Sequence, residues 1–333
     1  MTLYAVLSDI HANYPALLAV ARDARDIGRR EDDGRVEFAC LGDVVDYGPQ
    51  PNECVAWVRR YAAVTLQGNH DRVAAEPLGS PPMEIEANLW PILLWTRAEL
   101  RDGHKQALRR WRHEHGASAL LAAFTPFHSD VDESDIYVDN PRAAGRSLQR
   151  LPTPYGLFGH THVQGYYVQE GAEVRAALAW PGDLPANAAS LPAQLVRAGE
   201  WFCLPGQEQR ALLNPGSVGQ PRQHRRLGGA LLPRDYRAAY MLLRQRPDSR
   251  WEARFQRVDY PIAETIGLLR ERARYDVFRS RVAALAARGV DVAAPAGHPF
   301  SSQLQETLDT MEIRLPTLVD RLIDQLAPPE TRL

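Results

Sequence analysis

Tyr155-Gly156-Leu157-Phe158-Gly159-His160-Thr161-His162 is a short apolar run that gives way to a glycine and two histidines one residue apart. Such a run reads as a buried strand, and a turn directly after it lets two imidazoles approach neighbouring points from different angles. Alone, the glycine-histidine-x-histidine tetrapeptide is weak evidence for a metal site. Its weight depends on whether other strand ends supply the remaining ligands.

Upstream, Leu3 to Leu7 is wholly apolar, as a strand buried on both faces should be, and it delivers Ser8-Asp9-Ile10-His11-Ala12-Asn13. In extended backbone Asp9 and His11 point the same way, so a carboxylate and an imidazole form half a shell for a divalent ion. An Ala/Leu-rich helix is expected from Pro15 to Gly28. The strand Val36 to Leu41 then ends in Gly42-Asp43, where Gly42 permits a sharp turn and Asp43 extends from a strand end. Asp46 to Pro49 has the composition of a turn. Pro51 to Tyr61 reads as a helix, and the strand Ala63 to Leu66 leads into Gln67-Gly68-Asn69-His70-Asp71. There Asn69 offers a neutral amide oxygen and His70 a titratable nitrogen. Asp71 offers a carboxylate to fix that imidazole's tautomer.

In this order, D-x-H, G-D-x-x-D, G-N-H-D and G-H-T-H resemble the calcineurin-like metallophosphoesterase superfamily. Asn214-Pro-Gly-Ser-Val-Gly-Gln-Pro-Arg222 is similar to a segment of its small cytoplasmic bacterial and archaeal phosphodiesterase-like members, and reads as a turn-dense stretch with exposed amides. The resemblance covers about residues 3–260 and implies an α/β fold, a four-layer αββα sandwich of two mixed sheets flanked by helices, with a binuclear metal site. It assigns Asp9, His11, Asp43 and His162 to one ion, and Asp43, Asn69, His128 and His160 to the other, with Asp43 bridging. His128 is taken as the ligand between Asp71 and Gly159 because it follows the strand-like Ala119 to Phe124. Where relatives carry a His-Gly-Ser-Pro-like motif, this chain reads His128-Ser129-Asp130.

A nitrogen and oxygen ligand set without thiolates suits Mn²⁺ first, with Fe, Zn²⁺, Ni²⁺ or Co²⁺ also fitting, and argues against a pure Mg²⁺ or Ca²⁺ site. The resemblance implies hydrolysis of a small phosphodiester or nucleotide by a metal-bridging hydroxide, without a phosphoenzyme. In that reading His70, oriented by Asp71, is the general acid, and Arg222 and Asn13 contact the substrate. The alternatives are a nuclease, a phosphomonoesterase or a protein phosphatase of the same fold, or a scaffold that binds partners without catalysis.

Composition narrows the field. Charged residues are 24%, apolar residues 45% and the net charge is -2, so there is no generally basic surface and nucleic acid is not an expected partner. The three cysteines form no C-x-x-C pair. With no basic, signal-like leader and no run long enough to span a membrane, they point to a cytoplasmic protein.

Residues 1–260 are expected to form the phosphoesterase domain, with a helical insert at about 84–115, and 261–333 a helical extension. In the insert, Trp90, Trp95 and Trp111 suit packing better than base stacking, and His104, His113 and His115 read as solvated. Gln223 to Arg234 is a loop that could set specificity. Leu304, Leu308, Met311 and Leu315 form an amphipathic stripe that could pack on its own domain or join a homodimer.

Overall fold

The structure, a computed structural model, describes residues 2–31, 34–76, 90–111, 116–131, 136–180, 194–206, 209–221 and 235–272, with positions 182, 184 and 188 and the pairs 226–227 and 230–231. The chain divides into two units, Met1–Gln223 with Asp235–Tyr260, and His224–Arg234 with Pro261–Leu333.

The first unit begins with β1 (Leu3–Leu7), in which every residue is buried. Period-two alternation sorts the strand between two cores: Leu3, Ala5 and Leu7 lie on the helix side, Tyr4 and Val6 on the other. In α1 (Tyr14–Glu31), Leu17, Val20, Ala21, Ala24 and Ile27 recur at helical spacing and fill the helix-side core. Next come β2 (Val36–Cys40), α2 (Pro51–Tyr61) with proline in its first turn, β3 (Ala62–Thr65) and α3 (Asn69–Ala75). The insert provides α4 (Trp90–Glu99) and α5 (Asp102–Arg110).

Then follow β4 (Phe124–Pro126), α6 (Pro141–Arg150), β5 (Tyr155–Leu157) and the hairpin of β6 (Gly165–Glu170) and β7 (Glu173–Trp180). After it come β8 (Gln194–Arg197), β9 (Phe202–Cys203) and β10 (Ala211–Asn214). In the second unit, β11 (Arg226–Leu227) pairs antiparallel with β12 (Ala230–Leu231). The first unit closes with β13 (Ala238–Gln245) and β14 (Trp251–Val258), and α7 (Ile262–Arg272) belongs to the second.

Two mixed six-stranded sheets result, in the orders β3-β2-β1-β13-β14-β9 and β4-β5-β10-β6-β7-β8. Their facing sides share one core, with Tyr4, Val6, Leu41 and Phe255 from the first meeting Phe124, Leu157 and Leu213 from the second. The outer face of the first sheet packs on α1 and α2, while that of the second puts Phe158 and Leu212 against Ala144 and Leu148 of α6. This is the four-layer αββα sandwich. At about 1.5–3 kcal/mol for each large apolar side chain removed from water, the inter-sheet layer holds the two halves together. Leu213→Ala would cost about 2–5 kcal/mol there.

Several local expectations differ. Ala119–Ala122 is a 3₁₀ turn rather than strand, because the Ser118 hydroxyl accepts a hydrogen bond from Leu120 N at 3.1 Å and caps it. The strand starts only at Phe124. His104, expected in solvent, is buried with Nδ1 2.8 Å from Asn52 Oδ1, and burial followed by Arg59 and Arg101 lowers its pKa. Trp95 and Trp111 are buried, Trp111 in the helix-side core. His113, His115, Arg222, the side chain of Trp90 and the stripe from Leu304 lie outside the described residues. Among the described residues no helix is long and apolar enough to cross a membrane.

Candidate metal centre

Within the first sheet β1, β2 and β3 run parallel, and within the second β4 and β5 do so. The C-terminal ends of these five strands carry Asp9 and His11, Asp43, Asn69, His128, and His160 with His162. Turns of uncommon geometry then fold these side chains together. Asp9, His11, Asp43, His160 and His162 all have positive φ, at 53°, 48°, 53°, 64° and 62°. The extended Asp9-x-His11 geometry is therefore not what the chain adopts. Left-handed backbone costs an L residue about 1–2 kcal/mol, so strain is concentrated where the ligands sit. The loops also approach too closely for side chains: a Cβ on Gly68 would lie 2.1 Å from Asp43 Oδ1, and one on Gly159 1.9 Å from Ser8 Oγ.

Two buried clusters form. Asp9, His11 and His162 make one, and Asp43, His128 and His160 the other, with candidate ligand atoms within 4.8 Å of each other in each. In the first, His11 Nε2 is 3.1 Å from His162 Nε2, which is 3.3 Å from Asp9 Oδ1. In the second, His128 Nε2 is 3.2 Å from Asp43 Oδ2 and 3.1 Å from Asn69 Oδ1. Asp43 Oδ2 also lies 3.9 Å from His11 Nε2, so it stands between the clusters.

The outer nitrogens decide the chemistry. His11 Nδ1 meets Val45 O at 3.2 Å, His128 Nδ1 meets Leu41 O at 2.8 Å, and His162 Nδ1 meets Gln220 O at 2.8 Å. A carbonyl can only accept, so each Nδ1 carries the proton and, in the neutral ring, each Nε2 lone pair faces inward. Two lone pairs 3.1 Å apart repel unless a proton or a cation lies between them. Asp43 Oδ1 accepts from His70 N at 2.9 Å, while Oδ2 is buried and accepts no hydrogen bond of good geometry. An inward set of imidazole nitrogens and carboxylate oxygens with no basic side chain among them fits divalent cations.

Electrostatics without cations point the same way. Burial and then Asp43 push Asp9 up to about 7, with His128 opposing. Asp43 is held well below the usual carboxylate range, because His128 and His70 outweigh its burial. Burial opposes protonation of His128, but Asp43 and Asp9 raise it to about 10.

His70 sits beside both clusters, its ring edge-on to His11 at 5.1 Å between centroids. Its orienting carboxylate is not Asp71. Asp46 Oδ2 lies 2.7 Å from His70 Nδ1, and Asp46 Oδ1 accepts from Thr96 Oγ1 at 3.1 Å. Asp71 instead turns back to the backbone: Oδ1 accepts from Val44 N and Val45 N, and Oδ2 from Gly68 N. It ties the loops after β2 and β3 together from the third position of α3. Against its burial, Asp43 and the Asp46 hydrogen bond raise His70 to about 9.

Asn13, expected on the substrate, is buried and committed elsewhere: Oδ1 caps α1 through Ala16 N, and Nδ2 donates to Gly219 O and Tyr260 Oη. The turn-dense segment from Asn214, read from sequence as suited to lie beside the metals, does lie beside the first cluster, but its amides are engaged rather than exposed. Val218 N and Gly219 N donate to Ser8 O and Asp9 O, Ser217 Oγ donates to Asp9 O, and Gln220 O accepts from His162 Nδ1, so the segment braces the first cluster from outside.

Tyr137 was not singled out from sequence. Its exposed ring stacks on His160 with centroids 4.1 Å apart. No local pattern signals this, because the contact joins two loops.

Comparison with known proteins agrees. Residues 3–164 match the family model described as calcineurin-like phosphoesterase. A metallophosphoesterase from Sphaerobacter thermophilus is similar in structure, with a TM-score of 0.59 and 29% identity over 85% of this chain and 99% of that one. A hypothetical protein from Pyrococcus horikoshii shares the fold at 15% identity, with a TM-score of 0.57 over 84% of this chain and 97% of its own. An uncharacterized protein of Methanocaldococcus jannaschii is 27% identical over 229 residues, 66% of this chain and 78% of that one. With its sandwich and its two Asp/His clusters, the matched segment of residues 3–164 is a calcineurin-like phosphoesterase segment, of a family of metal-dependent phosphoester hydrolases.

Proposed function

We propose that the protein hydrolyses a small phosphodiester or nucleotide at a binuclear centre, with Mn²⁺ as the preferred ion, in the cytoplasm. The observation that carries this reading is Asp43 Oδ2, a buried carboxylate oxygen facing His128 Nε2 at 3.2 Å and His11 Nε2 at 3.9 Å. One oxygen between two nitrogen-rich clusters is where a shared ligand belongs. Asp9, His11, Asp43 and His162 would hold one ion, and Asp43, Asn69, His128 and His160 the other. When bound, such ions supply Lewis acidity to the phosphoryl oxygens and a nucleophile from water near neutral pH.

The chain's own contribution is proton delivery and positioning. Asp46 holds His70 Nδ1, leaving Nε2–H to protonate the leaving oxygen as its bond to phosphorus breaks. The imidazole recovers its proton from solvent. Asp46 stabilises the imidazolium form, and this part of the raised His70 pKa survives when cations cancel the charge of Asp43. The near-neutral net charge favours a small soluble ester over a nucleic acid.

The test is elemental analysis of untagged protein together with hydrolysis of bis-p-nitrophenyl phosphate and p-nitrophenyl phosphate in Mn²⁺. About two equivalents of metal and preference for the diester are expected. Preference for the monoester would redirect the reading to a phosphatase or nucleotidase. Absence of both metal and turnover would overturn it.

A further inference from the structure

We infer that Thr96 of the helical insert is a positioning residue for proton delivery, acting on His70 through Asp46; this rests on the phosphoesterase reading above. Thr96 is fully buried, and its hydroxyl donates to Asp46 Oδ1 at 3.1 Å across 50 residues of sequence. The other oxygen of the same carboxylate lies 2.7 Å from His70 Nδ1. Among the described residues each oxygen of Asp46 thus has a side-chain partner, one from the insert and one from the ring that faces the clusters.

A threonine in the middle of a helix ordinarily returns its hydroxyl to the carbonyl one turn back. In α4 that bond is given up for a carboxylate in another loop. Ile92 and Leu93, one turn back on the same face as Thr96, are buried, as is the adjacent Trp95, so the hydroxyl is presented from a packed element. Asp46 needs such a grip because it sits on a tight turn, with positive φ at Asp46 (75°) and Tyr47 (61°). A carboxylate bonded through one oxygen can swing about its terminal torsion, while a second bond fixes its plane and so the direction of the imidazole. The insert supplies no member of either cluster among the described residues, yet through Thr96 it reaches the atom that delivers the proton.

The experiment compares full-length wild type, Thr96→Val and Thr96→Ser as Zn²⁺-loaded proteins on aryl phosphodiesters graded from p-nitrophenyl to phenyl. For Thr96→Val, kcat on the phenyl ester should fall roughly ten-fold and on the p-nitrophenyl ester less than about three-fold, because only the poorer leaving group needs the proton. KM and metal content should stay near wild type while the melting temperature falls by a few degrees, because Asp46 Oδ1 loses its donor, and Thr96→Ser should restore both the phenyl activity and the melting temperature. In parallel, proton NMR of histidine-labelled protein should show the His70 Nδ1 proton exchanging faster with solvent in Thr96→Val than in wild type or Thr96→Ser. Equal losses on both esters, no rescue by serine, or an unchanged Nδ1 exchange rate would each overturn the inference. Wild type inactive on every ester in Mn²⁺ as well as in Zn²⁺ would refute the phosphoesterase reading instead, and the NMR comparison would still decide whether Thr96 holds the pair.

Discussion

The two clusters on either side of Asp43 are built from the same residue types but held differently. Asp9, His11 and His162 form the deeper one, exposed by 0%, 1% and 4%, and its imidazoles are locked by Val45 O and Gln220 O while Ser217, Val218 and Gly219 brace the backbone of Ser8 and Asp9. The second joins Asp43 to His128 and His160, exposed by 8% and 5%, with the half-buried Asn69 beside it and the exposed Tyr137 over His160. Both clusters hang an imidazole from a backbone carbonyl, His128 Nδ1 on Leu41 O at 2.8 Å included, and they differ in that the second borders the exposed Tyr137. If both clusters hold ions as proposed, this difference predicts a resident position and an exchangeable one, with Asp43 Oδ2 facing both at 3.2 Å from His128 Nε2 and 3.9 Å from His11 Nε2.

Removing what they share should have the largest effect. In the proposed binuclear reading Asp43→Ala deletes a ligand of both clusters, and it leaves His70 N without its acceptor. Metal content should fall to well under one equivalent, and kcat/KM by more than about 10³-fold, beyond the 10–100-fold typical of an outer-shell partner. Elemental analysis alongside turnover checks it. A fully metallated, active variant would mean that the clusters are independent and that Asp43 joins neither.

The carboxylates around His70 sharpen the comparison, because they separate proton delivery from metal retention. Asp46→Asn keeps both clusters but replaces the acceptor of His70 Nδ1 with a neutral amide. Turnover on poor leaving groups should drop by about 10²-fold, within the range of general acid catalysis, with metal content unchanged. Asp71→Ala should instead act on the fold, since it strands the buried amides of Val44, Val45 and Gly68. A loss of roughly 3 kcal/mol or more in chemical denaturation is expected. If Asp71→Asn imitated Asp46→Asn in leaving-group dependence without losing stability, the pairing of His70 with Asp46 would be wrong.

That pair of acids also shows where sequence reasoning reached its limit. That the candidate ligand residues at the ends of apolar strands come together was legible, because a buried strand must end somewhere and charged residues at its C-terminal end rarely serve packing. The roles of neighbouring acids were not. Asp71 adjoins His70 in the chain, but in α3 consecutive side chains diverge, and the spacing of Gly68 to Asp71 is that of a helix cap. Asp46 is 24 residues away and reaches the ring only because the loop after β2 turns through left-handed conformations. Asn13 was misjudged for a similar reason: its place before a helix marks a cap as readily as a ligand. The signal for α6, Asn140 followed by Pro141, was present, and Asn140 Oδ1 does accept from Ala143 N at 2.9 Å. The 3₁₀ turn before β4 was not separable from a strand, since a short Ala/Leu run fits both.

The smallest expected effect tests the asymmetry itself. If the cluster around His128 is the exchangeable one, a chelator should strip the metal in two phases, the first removing about one equivalent and the second slower. Asn69→Ala removes the neutral oxygen that faces His128 Nε2 and should weaken the labile position by roughly ten-fold, leaving the other phase unchanged. Ser217→Ala should do the reverse, because its hydroxyl holds Asp9 O behind the deeper cluster, and there the slow phase should quicken while the fast one stays. A single release phase in wild type, or the same response to both substitutions, would show that the two clusters behave as one unit despite their different walls. Activity measured during chelation then tells which position the reaction needs: loss in step with the fast phase places the limiting ion beside His128, at the open edge where Tyr137 also stands.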